Sequence, residues 1–465
     1  MANTGYIQAT IAYKVSRPGG LPLDIDGNLT SQSGRKQAIA LMKNFLNPDP
    51  NRYEVETYFE KGQPISGNPT IVYDAEACPP PNVIDSVVSE IEVVFSFSNQ
   101  TNLLNAVTID TTANTKAIID WGDGAPVIHE LNTIGKNHLS KTFTSGNHTV
   151  NIKLMKGTSG VSFVNQSHKC ITRINKVQSD IAFSCNSMFS GQANLTDISN
   201  FKFETPLCNN YDKVFHATSI GSTLREDLFG CARELRSKSG NPNAVIRLQD
   251  GFMGSSVNNL PQKLFWDVPV SNFFETFKFC WALTSFPTLF LKGQVDAIWF
   301  EGFANNCNAL ESIPDGFFDD CVKAHRFSFC FYKNWALTSC PSGLFDKTLA
   351  GSQIVNDNNA KAEMDGVFGN CYNITIDINQ IFQLNKYPNI SSIGYRGEYY
   401  YNGLFDGNHA TTSPIISPMK FTGDAEAFYN KFSTNTILKW VGDGNHCFRG
   451  CGNLTNLDSI PATWK

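Results

Sequence analysis

Charge is scarce in this chain. Lys, Arg, Asp and Glu make up 17% of its 465 residues, against about 25% in typical globular proteins, and the net charge is −5. With no cationic excess there is nothing to neutralise a phosphate backbone, so nucleic acid is not an expected partner. No apolar run approaches the roughly 18 residues that a helical membrane span needs, and membrane insertion is not expected either. The opening MANTGYIQATIAYKV has no basic segment followed by an apolar core and a small-residue cleavage site, so it does not read as a secretory signal. Catalytic signatures are missing too. There is no G-x-S-x-G, H-E-x-x-H, G-x-G-x-x-G or phosphate-binding glycine loop, and no Ser/His/Asp set stands out. The chain reads as non-enzymatic, with no catalytic residue assigned.

What the chain has in quantity is phenylalanine, 35 residues of it, within an aromatic content of 12%. Much aromatic surface must therefore be buried. The length exceeds one ordinary core and suggests roughly three domains unless a repeat array extends one of them. The 13 cysteines are odd in number and scattered. Most fall inside repeated segments, so they read as buried free thiols rather than a disulfide framework.

Along the chain, residues 1–78 form a small α+β unit. Ile7, Ala9, Ile11, Tyr13 and Val15 alternate as in a half-buried strand, and Tyr53, Val55, Thr57 and Phe59 do so again. Between them Ser33 to Leu46 places Ala38, Leu41, Met42 and Phe45 on one helical face, ending before Asn47-Pro48-Asp49-Pro50. Residues 79–82 open with a proline run that predicts a stiff linker. Residues 83–158 read as all-β, with Ile91, Val93 and Phe95 alternating, an apolar strand over 117–120 and another alternation over 149–154.

The strand over 117–120 ends in Asp120-Trp121-Gly122-Asp123-Gly124, and His138 to Phe143 and Gly146 to Val150 follow. This segment resembles the PKD-like immunoglobulin-type β-sandwich, in which a strand ends in D-W-G-D-G and a later strand pair follows. From residue 159 to 465 the sequence repeats. Ala-Leu-x-Ser-x-Pro recurs at 282–287, 309–314 and 336–341, two successive spacings of 27 residues, flanked by Phe277 and Cys280, Phe303 and Cys307, Phe329 and Cys330. Weaker copies include Met188-Phe189, Leu228-Phe229, Val367-Phe368 and Cys447-Phe448. The pattern resembles the BspA-like leucine-rich repeats of bacterial surface proteins. The expected fold class is therefore mainly β: a small α+β N-terminal domain, a PKD/Ig-like sandwich, then an irregular leucine-rich-repeat solenoid. One turn cannot bury its own apolar face, but stacked turns share a core. Spacers such as 346–361 and 383–401 are expected to emerge as loops, where recognition surfaces commonly sit.

For binding, Tyr395-Arg396-Gly397-Glu398-Tyr399-Tyr400-Tyr401 stands out, since three consecutive tyrosines cannot all point inward from a strand. Tyr395, Arg396, Glu398, Tyr399, Tyr400 and Tyr401 are the candidate contacts for a glycan or protein, with edge packing or a subunit interface as the alternative. Asp120 and Asp123, hard oxygen ligands beside glycines, are candidate calcium ligands, with turn capping as the alternative. No other metal or cofactor is expected: His446, Cys447 and Cys451 have poor zinc spacing, and Asp315, Asp319 and Asp320 read as a solvated turn. Trp266, Trp281, Trp299 and Trp335 recur near repeat corners and read as core.

A sandwich followed by a leucine-rich solenoid implies adhesion in the families it resembles. The absence of a leader points to a virion protein, as in the fibre or decoration proteins of crAss-like tailed phages. Residues 1–78 would dock on other virion proteins, and the repeats would bind a bacterial surface glycan or protein. A homotrimer would fit a fibre, although no heptad run marks one. The alternative is a bacterial cell-surface adhesin, and a less favoured one is a glycan-degrading enzyme.

Overall fold

The computed structural model describes residues 87–163, 169–349, 362–385, 405, 419–432 and 447–465, together with the backbone of residue 350, of 390–392 and of four short strands nearer the N-terminus. Those four strands are β1 (Tyr13–Ser16), β2 (Leu23–Asp24), β3 (Glu54–Phe59) and β4 (Gln63–Pro64). They form an antiparallel sheet in the order β2-β1-β3-β4, with Val15 opposite Val55. The helix expected over 33–46 and the proline linker of 79–82 lie outside the described residues.

The fold is mainly β. Strand β5 (Val87–Phe97) is followed by β6 (Thr101–Thr111), β7 (Thr115–Asp120), β8 (Val127–Leu131), β9 (Gly135–Phe143), β10 (Gly146–Met155), β11 (Thr158–Ser162) and β12 (Ile171–Ser179). One sheet has the order β12-β5-β10-β7-β8, the other β11-β6-β9. Strands β9 and β10 follow one another in sequence yet lie in different sheets, so the two segments expected as a strand pair are not paired. In β5 every second residue from Ser89 to Phe97 is buried, the period-2 signature of a strand with one face on a core.

The chain divides into two compact units: 1–91 with 113–134 and 148–158, and 92–112 with 135–147 and 159–465. In the first, β7 lies between β10 and β8, antiparallel to both, and Ala117, Ile119, Ile152 and Leu154 are fully buried. In the second, β6 pairs with β9 around a register shift between Leu103 and Val107. Phe95 packs on Phe143 with ring centroids 5.4 Å apart and on Phe163 at 6.0 Å.

From residue 184 onward the second unit is a stack of eight-residue rungs, at 184–191, 210–217, 247–254, 272–279, 299–306, 326–333 and 363–370. Parallel bridges join the first residues: Ser184 to Asn210, Asn210 to Arg247, Arg247 to Asn272, Asn272 to Trp299, Trp299 to Arg326 and Arg326 to Glu363. Within each pair of neighbours, the N–H groups of the second, fourth, sixth and eighth residues donate to carbonyls of the next rung. Phe273, Glu275, Phe277 and Phe279, for example, donate to Trp299, Glu301, Phe303 and Asn305 at 2.8 to 2.9 Å. The fourth and eighth residues of each rung have positive φ. These are Ser187 and Gly191, Lys213 and Ala217, Asp250 and Gly254, Glu275 and Phe279, Gly302 and Asn306, Phe329 and Lys333, Gly366 and Asn370. Most are not glycine, so the stack holds conformations that cost of order 1 kcal/mol each in isolation.

The core of the stack explains the phenylalanine content. The sixth residue of each rung is Phe189, Phe215, Phe252, Phe277, Ala304, Phe331 and Phe368, and Phe163 before them and Phe405 and Phe448 after them continue the column. Successive rings stack at 5.8 Å (163 on 189), 5.8 Å (189 on 215), 5.7 Å (215 on 252) and 5.4 Å (252 on 277). The column resumes at 5.8 Å (331 on 368), 6.1 Å (368 on 405) and 5.9 Å (405 on 448). At Ala304 the space is taken by neighbours: Phe286 stacks on Phe303 at 5.4 Å, and Phe303 meets Phe277 edge-on at 5.3 Å.

Cysteine fills the position just after three of the seven rungs, as Cys280, Cys307 and Cys371. Cys280 donates its thiol to the carbonyl of Phe252 at 3.1 Å, Cys307 to Phe277 at 3.0 Å, Cys371 to Phe331 at 3.0 Å and Cys451 to Phe405 at 3.3 Å. Asn334 and Gln192 make the same bond with their amides, to Ala304 and Phe163. The side chains that make this bond share a donor within reach of the preceding rung's carbonyl, and the thiol supplies it with little other polar surface to bury. The cysteines from Cys170 to Cys371 are free thiols.

Two rung-to-rung connections, after 210–217 and after 326–333, are longer than the rest. One forms a short helix at Leu235–Ser239. The other, expected to be a loop over 346–361, instead begins with a helix at Asp346–Ala350, because Phe345, Thr348 and Leu349 are buried and hold that turn against the stack. The rest of that spacer lies outside the described residues.

Candidate functional site

The six residues singled out for binding, Tyr395, Arg396, Glu398, Tyr399, Tyr400 and Tyr401, lie outside the described residues. Asp120 and Asp123 lie on the turn that leaves β7. The Asp120 carboxylate accepts the Gly122 N–H at 2.9 Å, closing the turn, and Asp123 is exposed. Gly122 has φ +77, and a Cβ there would sit 2.7 Å from the Thr149 carbonyl oxygen. The glycine is thus required by backbone approach, and Trp121 beside it is buried against His129. Among the described residues no group of three or more His, Cys, Asp or Glu side chains is arranged to hold a metal ion. Asp319 and Asp320 are used locally: Asp320 accepts the Gly293 N–H at 2.8 Å, and Asp319 accepts from Lys347.

The tryptophans overturn the expectation that they are core. Trp281 is 64% exposed and Trp335 49% exposed, while Trp266 and Trp299 are only partly buried. The core is lined by phenylalanine, whose ring has no donor to satisfy; the indole N–H favours a partly open position. Trp266 bonds the Leu289 carbonyl and Trp299 the Glu301 carboxylate at 3.1 Å.

Two faces of the stack carry chemistry. The first is formed by the first, third and fourth residues of the rungs, which carry Asp212, Asp250, Glu275, Glu301, Glu363 and Asp365; the rungs at 184–191 and 326–333 carry no carboxylate there. Asp212 pairs with Arg247 at 2.8 Å, Asp250 with Lys213 at 3.7 Å, Glu275 with Lys278 at 2.7 Å, and Glu363 with Arg326 at 4.0 Å. The Arg326 guanidinium also lies 4.7 Å from the centre of the Trp299 ring. Burial lifts the carboxyls of Asp212 and Asp250 above the ordinary range. Glu301 is raised by burial first and then by the neighbouring Glu363 and Glu275. Scattered in sequence, these acids share no motif; only their common place within the rungs marks them.

The second face is the strip carrying the Ala-Leu-x-Ser-x-Pro repeats. Glu311 N–H donates to the Thr284 carbonyl at 2.9 Å and Thr338 N–H to the Glu311 carbonyl at 3.0 Å, and Ser285, Ser312 and Ser339 are bridged in parallel. Thr375 continues this to Thr338 at 3.4 Å. Leu283, Leu310 and Leu337 point inward and are fully buried, while Thr284, Glu311, Thr338 and Thr375 are exposed. Three residues before each of these exposed residues come Trp281, Asn308, Trp335 and Tyr372, in one column on successive rungs.

The chain matches no described protein family, no curated protein and no solved structure.

Proposed function

We propose that this chain is a non-enzymatic adhesion protein. In this reading residues 159–465 are a leucine-rich-type solenoid that displays side chains at fixed spacing toward a bacterial surface glycan or protein, after a PKD/Ig-like sandwich over 83–158. The observation that carries it is the regular placement of exposed aromatic and hydroxyl side chains on a hydrogen-bonded stack with a continuous phenylalanine core. Such a stack orders a binding surface before the partner arrives, so little conformational entropy is lost on binding. Residues 1–78 are proposed to attach the protein to other virion proteins, with a bacterial cell-surface adhesin as the second reading. Free buried thiols suit assembly in a reducing cytoplasm before release in a virion.

The test is binding of the purified full chain to gut bacterial cells. Saturable binding to some strains, with no sugar released from their surface glycans, is expected. Turnover of the glycan, or no binding to any strain, would overturn the proposal. Mass spectrometry of phage particles and of bacterial outer-membrane fractions separates the two locations.

A further inference from the structure

We propose that Trp281 and Trp335, with the exposed hydroxyl and carboxyl strip beside them, form a platform for an extended neutral polysaccharide. The inference rests on the adhesion reading and specifies the ligand class and the residues. Trp281, Asn308, Trp335 and Tyr372 occupy one column, because the segments that follow them are joined rung to rung by the bonds Glu311 to Thr284, Thr338 to Glu311 and Thr375 to Thr338. Adjacent hydrogen-bonded backbones lie about 4.8 Å apart, so the two exposed indoles stand roughly 10 Å from one another along the column. That is about the length of a disaccharide unit in an extended glycan, in which every second sugar presents the same face. Asn308, on the rung between, leaves a polar gap under the alternate sugar.

The chemistry of the strip agrees with this spacing. An indole face offers a flat, electron-rich surface to the axial C–H groups of a pyranose ring, while its surroundings stay wet. Beside the column, Thr284, Ser285, Glu311, Thr338, Ser339 and Thr375 present hydroxyls and one carboxylate that can bond sugar hydroxyls. Trp281, Asn308, Trp335 and Tyr372 and the strip beside them include no Lys or Arg, and Lys420 at the column's end donates to the Asn373 side chain at 2.8 Å, which disfavours an acidic glycan. A second copy of this chain is the poorer occupant, because two indoles separated by polar residues do not make the contiguous apolar core of a stable protein interface. Both indoles are exposed, so removing them leaves the phenylalanine core untouched.

The experiment is affinity electrophoresis of the full chain through gels containing hydroxyethylcellulose, β-1,4-mannan, xylan or β-1,4-galactan, with hyaluronan as the anionic comparison. Retardation by at least one neutral polysaccharide is expected, and not by hyaluronan. The double variant W281A/W335A should bind that polysaccharide at least tenfold more weakly, each single variant less so, and W281F/W335F should recover part of the affinity. All should unfold at the wild-type temperature. No retardation by any neutral polysaccharide, or undiminished affinity in W281A/W335A, overturns the platform. If W281A/W335A still binds cells as the wild type does, the adhesion reading stands and the platform falls. A wild-type chain that binds no cells sinks the adhesion reading instead.

Discussion

Replacing Phe252 by alanine removes one ring from the middle of the phenylalanine column. Phe252 is fully buried, stacked on Phe215 at 5.7 Å and on Phe277 at 5.4 Å, with Phe229 edge-on at 6.2 Å. A Phe side chain buries about 150–250 Å², which at roughly 25 cal/mol per Å² corresponds to about 4–6 kcal/mol, and truncations of this kind cost about 3–5 kcal/mol. We expect about 4 kcal/mol. Because each rung bonds only to its neighbours, the loss should be local. Hydrogen exchange reads this directly. The Phe252 N–H donates to Thr276 and the Gly254 N–H to Lys278, and both amides should exchange about three orders of magnitude faster, at 1.4 kcal/mol per decade. The Phe331 N–H, bonded to Val367 several rungs away, should be nearly unchanged. The natural Ala304 supplies the converse. Its place in the column is filled by Phe286 and Phe303, so Ala304→Phe should overpack the site and cost about 1–3 kcal/mol rather than stabilise it. Uniform acceleration of every amide, or a loss below 1 kcal/mol for Phe252→Ala, would refute the column as a local, close-packed core.

Three further outcomes are expected. Unfolded thiols ionise near 9.0, whereas burial holds Cys280 and Cys371 at about 12. Their folded state favours the neutral form, so the stability they confer is intact below pH 9 and declines between pH 9 and 12 by about 1.4 kcal/mol per unit for each thiol. Urea midpoints should therefore fall steeply above pH 9, and less steeply in C280A/C371A; equal slopes would contradict the assignment. Gly122→Ala should be strongly destabilising, because its Cβ would meet backbone atoms of Thr149 at 2.7 and 2.8 Å at φ +77, whereas Gly124→Ala meets nothing within 4 Å; similar melting temperatures for the two would disprove this. Glu301→Gln should raise the melting temperature at pH 7, where the wild-type charge is held against burial, Glu363 and Glu275. It should do nothing at pH 4, where the wild-type group is largely protonated, and a lower melting temperature at pH 7 would count against the acid row as described.

Parts of this architecture are legible in the sequence. The 27-residue spacing of Ala-Leu-x-Ser-x-Pro is the spacing at which Ser285, Ser312 and Ser339 are bridged. The alternation of Ile91, Val93 and Phe95 is the buried face of β5, and Asp120 is the last residue of β7. Each reflects a short-range rule, either period 2 in a strand or identity at a fixed repeat. The cysteines are legible as thiols but not as donors to Phe252, Phe277 and Phe331, since those carbonyls lie 28, 30 and 40 residues away. The exposure of Trp281 and Trp335 is not legible in the sequence, because proximity to a repeat corner says nothing about which side of the corner a ring takes.

Composition and period thus dictate a repeating chain with a phenylalanine core, because a side chain that recurs once per rung must either stack on its own copies or face water at every one. Which column faces which way depends on register, and register is fixed by amide-to-carbonyl bonds between rungs whose connections differ in length. Only that pairing places Glu275, Glu301 and Glu363 in one row, sets Trp281 and Trp335 on one exposed column, and holds Lys213, Glu275, Phe329 and Lys333 at positive φ, a conformation their own side chains disfavour.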